Sequence, residues 1–232
     1  MNRNEQLNKI HELLDIMTQL RAEDGCPWDR EQTPSSLKKH ILEESYELLE
    51  ALDRGDADEI CDELGDLLLQ VVFQAQIFSE SGTFDMGDVA ASISSKLKRR
   101  HPHIFGDAEH AGHEERWERI KLQERNERGQ SNTLAQRIPS ALPALKRATK
   151  FAKKKGPEPH YESLQQIENQ LKVLRHNLSE NNKTTADIEQ AISLLLQNTC
   201  ELCAATGSDP EELLRQKTTQ LIASYDSKNQ FT

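Results

Sequence analysis

Apolar residues recur every three to four positions along most of this chain, the spacing of one helical face. Leu7, Ile10, Leu14, Met17 and Leu20 mark a first helix over residues 4–22, ended by Gly25. After the loop GCPWDREQTP, Thr33 fits an N-cap and Pro34 the first helical position, which predicts a helix to about Leu52. The tetrad DRGD then turns the chain around Gly55, and Asp56 with Glu59 has capping-box spacing for a helix to about residue 80. A further helix is expected from about Asp88 to Arg100, stopped by Pro102. The second half predicts helices over 162–178 and 186–206, then a last one beyond Gly207 and Pro210 that ends near Tyr225. No stretch alternates as a strand does, and no paired hairpin turn signal occurs. The expected fold is all-α.

The run LLLQ stands at 67–70 and again at 194–197, in the corresponding helix of each half. This suggests a diverged internal duplication. The expected organisation is a domain over 1–110, a polar connector over 111–150 with one short helix around Trp117, and a second helical domain over 151–232.

Carboxylates interrupt the apolar pattern in ILEESYELLEALDRGDADEICDELGDLLLQVVF. Residues three apart share a helical face, so Glu44 with Glu47 and Glu63 with Asp66 are neighbouring pairs, and Glu43 lies one turn before Glu47. Beyond Gly65 the second helix is apolar nearly all round, which predicts partial burial of Asp66. Two antiparallel helices on a short turn bring residues equidistant from the turn to one level. Glu47 and Glu63 are both eight residues from Gly55, and Glu44 and Asp66 both eleven. Four carboxylates at one height repel unless a cation sits among them. An all-oxygen set suits Mg²⁺ or Mn²⁺ rather than zinc. The bland alternative is a solvated acidic face, since Asp53, Asp56, Asp58, Glu59 and Asp62 crowd the same turn. A di-iron bundle requires Glu-x-x-His, and none of the eight histidines has Glu three residues before it.

Composition narrows the partners. A formal net charge of −10 and a pI near 5.3 argue against general binding to nucleic acid or anionic membranes. An anionic substrate then needs local cations or a metal. No apolar run approaches the ~18 residues of a membrane span, the start MNRNEQLNK lacks a signal-like apolar core, and four scattered cysteines form no disulfide framework. A cytoplasmic protein is expected.

LEESYELLEAL followed by DELGDLLLQVVFQAQ resembles the EExxE…ExxD signature of MazG-type nucleoside triphosphate pyrophosphohydrolases. GCPWDREQT, KLKRRHPHIFGD, WERIK and LPALKRA are similar to further segments of that family, in order over most of residues 7–150. The resemblance implies Mg²⁺-dependent cleavage of a nucleoside triphosphate between the α and β phosphates, giving monophosphate and pyrophosphate. It implies Glu44, Glu47, Glu63 and Asp66 as metal ligands and Glu43 as an auxiliary carboxylate. Either Glu43 or Glu47 is the expected general base. A two-helix hairpin cannot enclose a nucleotide, so a homodimer or higher homo-oligomer is expected. Two other readings stand beside this one. The first is a narrower dNTP or phosphoribosyl-ATP pyrophosphohydrolase, and the second a non-catalytic helical regulator or nucleotide sensor.

Lys96, Arg99 and Arg100 end their helix, where cations complement the helix dipole. Beside a metal–triphosphate site they become candidate phosphate ligands, with Lys38 a weaker one. Trp28 suits stacking on a base or capping of the core. His101, His103, His110 and His113 read as a His-rich polar connector, and Cys200 with Cys203 as packing residues on an apolar helix. Aligning the LLLQ runs puts the ExxD positions on Gln190 and Ser193, and the counterpart of the first helix, IENQLK, has no acidic triplet. The second half is therefore expected to lack the metal site and to serve as scaffold, dimer surface or regulatory module.

Overall fold

The computed structural model describes residues 2–106, 113–127, 129, 131–156, 159–179 and 184–229 of the chain. Twelve α-helices and no strand occur among the described residues. They divide into two compact units, residues 1–120 and 121–232.

In the first unit α1 (Arg3–Arg21) opens with a capping box between Asn2 and Glu5. The GCPWDREQTP loop holds a short helix, α2 (Pro27–Glu31), started by the proline at its first position. Thr33 does cap a turn, since its hydroxyl accepts from the Ser36 N–H at 3.1 Å, but α3 begins four residues later (Lys38–Arg54). Ser36 explains the delay: its hydroxyl bonds Gln32 at 2.8 Å and receives the Thr33 N–H at 3.0 Å, which closes a separate turn.

Gly55 ends α3 at φ 76°, a left-handed conformation that glycine adopts without steric cost. Asp56 caps α4 (Ala57–Glu80) by accepting from the Asp58 and Glu59 N–H groups. The reciprocal half of the expected box is missing, because the Glu59 carboxylate is held by Arg54 at 2.7 Å. Arg54 also reaches Glu50 at 3.0 Å, so one guanidinium spans the turn. Asp85 and Asp88 box the start of α5 (Met86–Arg100), followed by α6 (Pro102–Phe105).

The core of this unit is Met17 of α1, Leu37 before α3, and Val72 and Phe73 of α4, with Leu14, Leu69 and Met86 packed around them. Arg21 pins α1 to α4. Its side chain, only 7% exposed, donates to Glu80 at 2.6 and 2.7 Å and to the Asp29 carbonyl, and lies 5.5 Å above the Phe73 ring.

α7 (His113–Glu127) crosses the boundary between the units. In the second unit α8 (Leu134–Arg137) and α9 (Ala144–Lys155) occupy sequence that reads as connector. α10 (His160–Ser179) and α11 (Thr185–Thr206) form an antiparallel hairpin, and α9 packs on α11 and on α12 (Pro210–Asn229). Thr149 and Ala152 are buried on the α11 side of α9. Small residues rather than a leucine stripe make that contact.

A carboxylate cluster across the α3–α4 turn

Gly55 sets the level of two helices, and three of the four acids paired by their distance from it converge. One carboxylate oxygen each from Glu44, Glu63 and Asp66 lies within 4.8 Å of the others. Glu44 and Glu63 are half-buried. Asp66, expected to be partly buried, is exposed, because neighbouring apolar residues such as Leu64 and Val71 face outward as well.

Electrostatics reports the same pairing. Burial, then Asp66, then Glu47 hold the Glu44 carboxyl above its ordinary value. Burial, then Glu47, then Asp66 do the same for Glu63, and Arg54 opposes them in part. The foremost neighbouring charge of Glu44 is thus Asp66, and that of Glu63 is Glu47, the partners equidistant from Gly55. Glu47 itself is exposed and outside the three-carboxylate triangle.

One Glu63 oxygen, Oε2, is buried with no hydrogen-bond partner. A buried carboxylate oxygen without a donor is costly unless it is protonated or bound to a cation. Three converging carboxylates, one with an orphaned oxygen, fit a hard divalent cation with oxygen ligands. Among the described residues no other group of three His, Cys, Asp or Glu side chains converges this way.

Glu43 is exposed on the same helix, and its Oε2 lies 3.2 Å from His40 Nδ1. His40 in turn meets the Trp28 ring edge-on, with centroids 6.2 Å apart. Trp28 is 53% exposed and takes no part in the core cluster, so the core-capping alternative is not what the fold uses. The periodicity of α3 held no signal for His40, which enters only through this contact.

The candidate phosphate-binding cations stand at helix ends. Lys96 and Arg100 are half-buried and Arg99 exposed at the end of α5, while Lys38 is exposed at the start of α3. The foremost charges acting on Glu44 and Glu63 are the neighbouring acids Asp66 and Glu47. Arg100 lies 5.1 Å over the Trp117 ring, and His101, which caps α5 through Leu97 O at 2.8 Å, meets the same ring at 5.3 Å. Trp117 thereby binds α7 to the basic end of α5. Of the connector histidines, His110 and the side chain of His113 lie outside the described residues.

In the second unit Gln190 and Ser193 are exposed on α11, and no group of three acids converges there among the described residues. Cys200 is buried and Cys203 half-buried, both as free thiols raised by burial.

Residues 32–105 match the family model of the MazG nucleotide pyrophosphohydrolase domain. The chain is 39% identical over 224 residues to the nucleoside triphosphate pyrophosphohydrolase/pyrophosphatase MazG of Thermotoga maritima, covering 93% of this chain and 84% of that protein. It is 50% identical over 152 residues to the nucleoside triphosphate pyrophosphohydrolase of Escherichia coli (strain K12), covering 64% of this chain and 57% of that one. Similarity to the Mycolicibacterium smegmatis nucleoside triphosphate pyrophosphohydrolase is 36% over 146 residues, 44% of its length. The match thus spans a little over half of the Escherichia coli relative.

Proposed function

Since the chain belongs to the MazG family, we propose that it hydrolyses nucleoside triphosphates at the α–β anhydride, releasing monophosphate and pyrophosphate. The observation that carries this reading is the carboxylate cluster made level by Gly55. Glu44, Glu63 and Asp66 would hold Mg²⁺, or Mn²⁺ in its place, and Glu47 would join them from the adjacent turn. When bound, the cation supplies neutralisation of triphosphate charge and Lewis acidity.

The remaining work falls to side chains of this chain. Glu47 is exposed and outside the triangle, so an oxygen of it not committed to the cation would take a proton from the attacking water. Glu43, with one oxygen occupied by His40, is the alternative base. Lys96, Arg99 and Arg100 would bind phosphate oxygens, with Arg suited to bidentate contact. Exposed Trp28 offers a face for the base, and Lys38 a further charge.

The same reading calls for a second copy of the chain. Leu42, Tyr46, Leu49, Leu52, Leu64 and Val71 of α3 and α4 are each 41% to 57% exposed. An apolar surface on the helices that carry the site is suited to being covered by a homodimer partner, which also closes the nucleotide pocket.

Pyrophosphate release should be measured over a panel of canonical and damaged nucleotides, with and without Mg²⁺. Wild type should cleave at least one of them only with the cation. Glu47→Ala and Asp66→Ala should lose about 10²-fold or more in kcat. A panel left wholly intact refutes hydrolysis and favours nucleotide sensing. Variants as fast as wild type refute the site, and cleavage of a single dNTP or of phosphoribosyl-ATP alone identifies a narrow enzyme.

A further inference from the structure

The second unit has no carboxylate cluster among its described residues, yet it has a cavity. Its volume is about 490 Å³, and it is lined by Leu134, Ala135 and Ile138 around α8, by Ala144, Arg147, Ala148 and Phe151 of α9, and by Gln197 of α11. That size falls within the roughly 300–1,000 Å³ of small-molecule sites, and an apolar lining with a few polar groups is their usual make-up.

α9 has two unlike faces. Thr149 and Ala152 are buried on the α11 side, and the Thr149 hydroxyl donates to the Leu145 carbonyl at 2.8 Å. Ala144, Arg147, Ala148 and Phe151 follow at helical spacing on another face and line the cavity. Of the twelve residues of α9 six are cations and none is an acid, in a chain whose net charge is −10. Lys146 is paired with Asp209, and Lys155 with Glu201 at 3.3 Å. Arg147, Lys150 and Lys153 have no ion pair among the described residues, and Lys150 is one turn from Arg147. Arg147 is the charged residue that lines the cavity, in a chain that is acidic as a whole.

Its floor is also ordered. The Gln197 amide donates to Glu201 at 3.2 Å, and Glu201 is buried and neutralised by Lys155. This fixes the amide and leaves its carbonyl and second N–H for a ligand. Phe151, 38% exposed, offers an aromatic face between Arg147 and the alanines. A flat ring, a donor–acceptor edge and a guanidinium at one cavity match a planar heterocycle that carries a phosphate.

We infer that this cavity is a second, non-catalytic site for a nucleoside monophosphate, with the base against Phe151 and Gln197 and the phosphate on Arg147. The choice of ligand rests on the nucleotide chemistry proposed for the first unit. The site itself does not.

Photolabelling of the full chain with 8-azido-AMP in EDTA, followed by mass mapping of the labelled peptide, tests the inference. Label is expected within residues 134–151 or on the α11 segment around Gln197, chased by AMP and not by decanoate. Arg147→Glu should weaken labelling about ten-fold or more, the size of one lost charge-assisted hydrogen bond. Phe151→Ala, with helix content checked by circular dichroism, should weaken it as well. Label confined to residues 1–120, label unchanged in Arg147→Glu, or label chased by decanoate as well as by AMP overturns the proposal. Labelling is scored without turnover and with the cation chelated. Failure to hydrolyse nucleotides and failure to label α9 or α11 are therefore separate results.

Discussion

The surroundings of Glu44 and Glu63 hold both carboxyls above their ordinary value, burial first and neighbouring acids second. A carboxyl whose folded pKa is raised favours the fold while protonated. That contribution is complete below the ordinary value of 4.5 and is lost as pH rises through the raised value. Glu80, lowered by its bonds to Arg21, has the opposite sign: its contribution is present above 4.5 and lost as pH falls. In EDTA, Glu44→Gln should therefore raise Tm at pH 7 and lose that advantage below pH 4.5. Mg²⁺ should raise the Tm of the wild type at pH 7, since a ligand bound only by the folded state stabilises it, and should do little for Glu44→Gln. Thermal scans at several pH values, with and without the cation, measure both effects. A wild-type Tm indifferent to Mg²⁺ at pH 7 would count against the ligand set. The residues of the cluster were legible in the sequence, because three-residue spacing and equal distance from one glycine need only helix geometry. The exposure of Asp66 was not, since an apolar pattern on one helix does not say which of its residues the fold covers.

At the scale of elements, the α3–α4 turn carries the site. Gly55 has φ 76°, and a Cβ built there meets nothing within 4 Å. Gly55→Ala should thus cost only backbone strain, about 1–2 kcal/mol, with kcat little changed in the folded fraction. Urea denaturation together with an activity assay separates the two. A loss of activity without a loss of stability would mean that the glycine does more than turn the chain. Helix existence was readable nearly throughout, and the ends shifted where side chains competed for backbone groups, as Ser36 does before α3. α8 and α9 lie in sequence that reads as connector, because α8 is only four residues long and Pro139 and Pro143 punctuate the approach to α9.

For the whole molecule, the unpaired apolar surface is the main open account. Full burial of a leucine side chain stabilises by roughly 1.5–3 kcal/mol, and the half-covered ones on α3 and α4 stand to gain part of that each. Light scattering should give twice the chain mass of 26.4 kDa or a multiple of it. Leu49→Glu with Leu52→Glu should shift the mass to that of one chain and reduce kcat/KM, while helix content stays near that of wild type. A monomeric, fully active wild type would rule out a shared site. The two units also divide the chemistry. Level acids occur only in the first among the described residues, and the cavity beneath α9 lies in the second.

One consequence of the Gly55 hinge concerns chain length more than side chains. Each added residue rotates the following helix by about 100° and advances it by about 1.5 Å. A single residue inserted within α4 between Ala57 and Asp62 would turn Glu63 and Asp66 by about 100°, off the face they share with Glu44, while leaving every acid in the sequence. Point changes at non-acidic positions of this segment should be widely tolerated in a mutational library, and insertions or deletions almost never. The spacing works as a reading frame for the site, one kept in the count of residues between carboxylates.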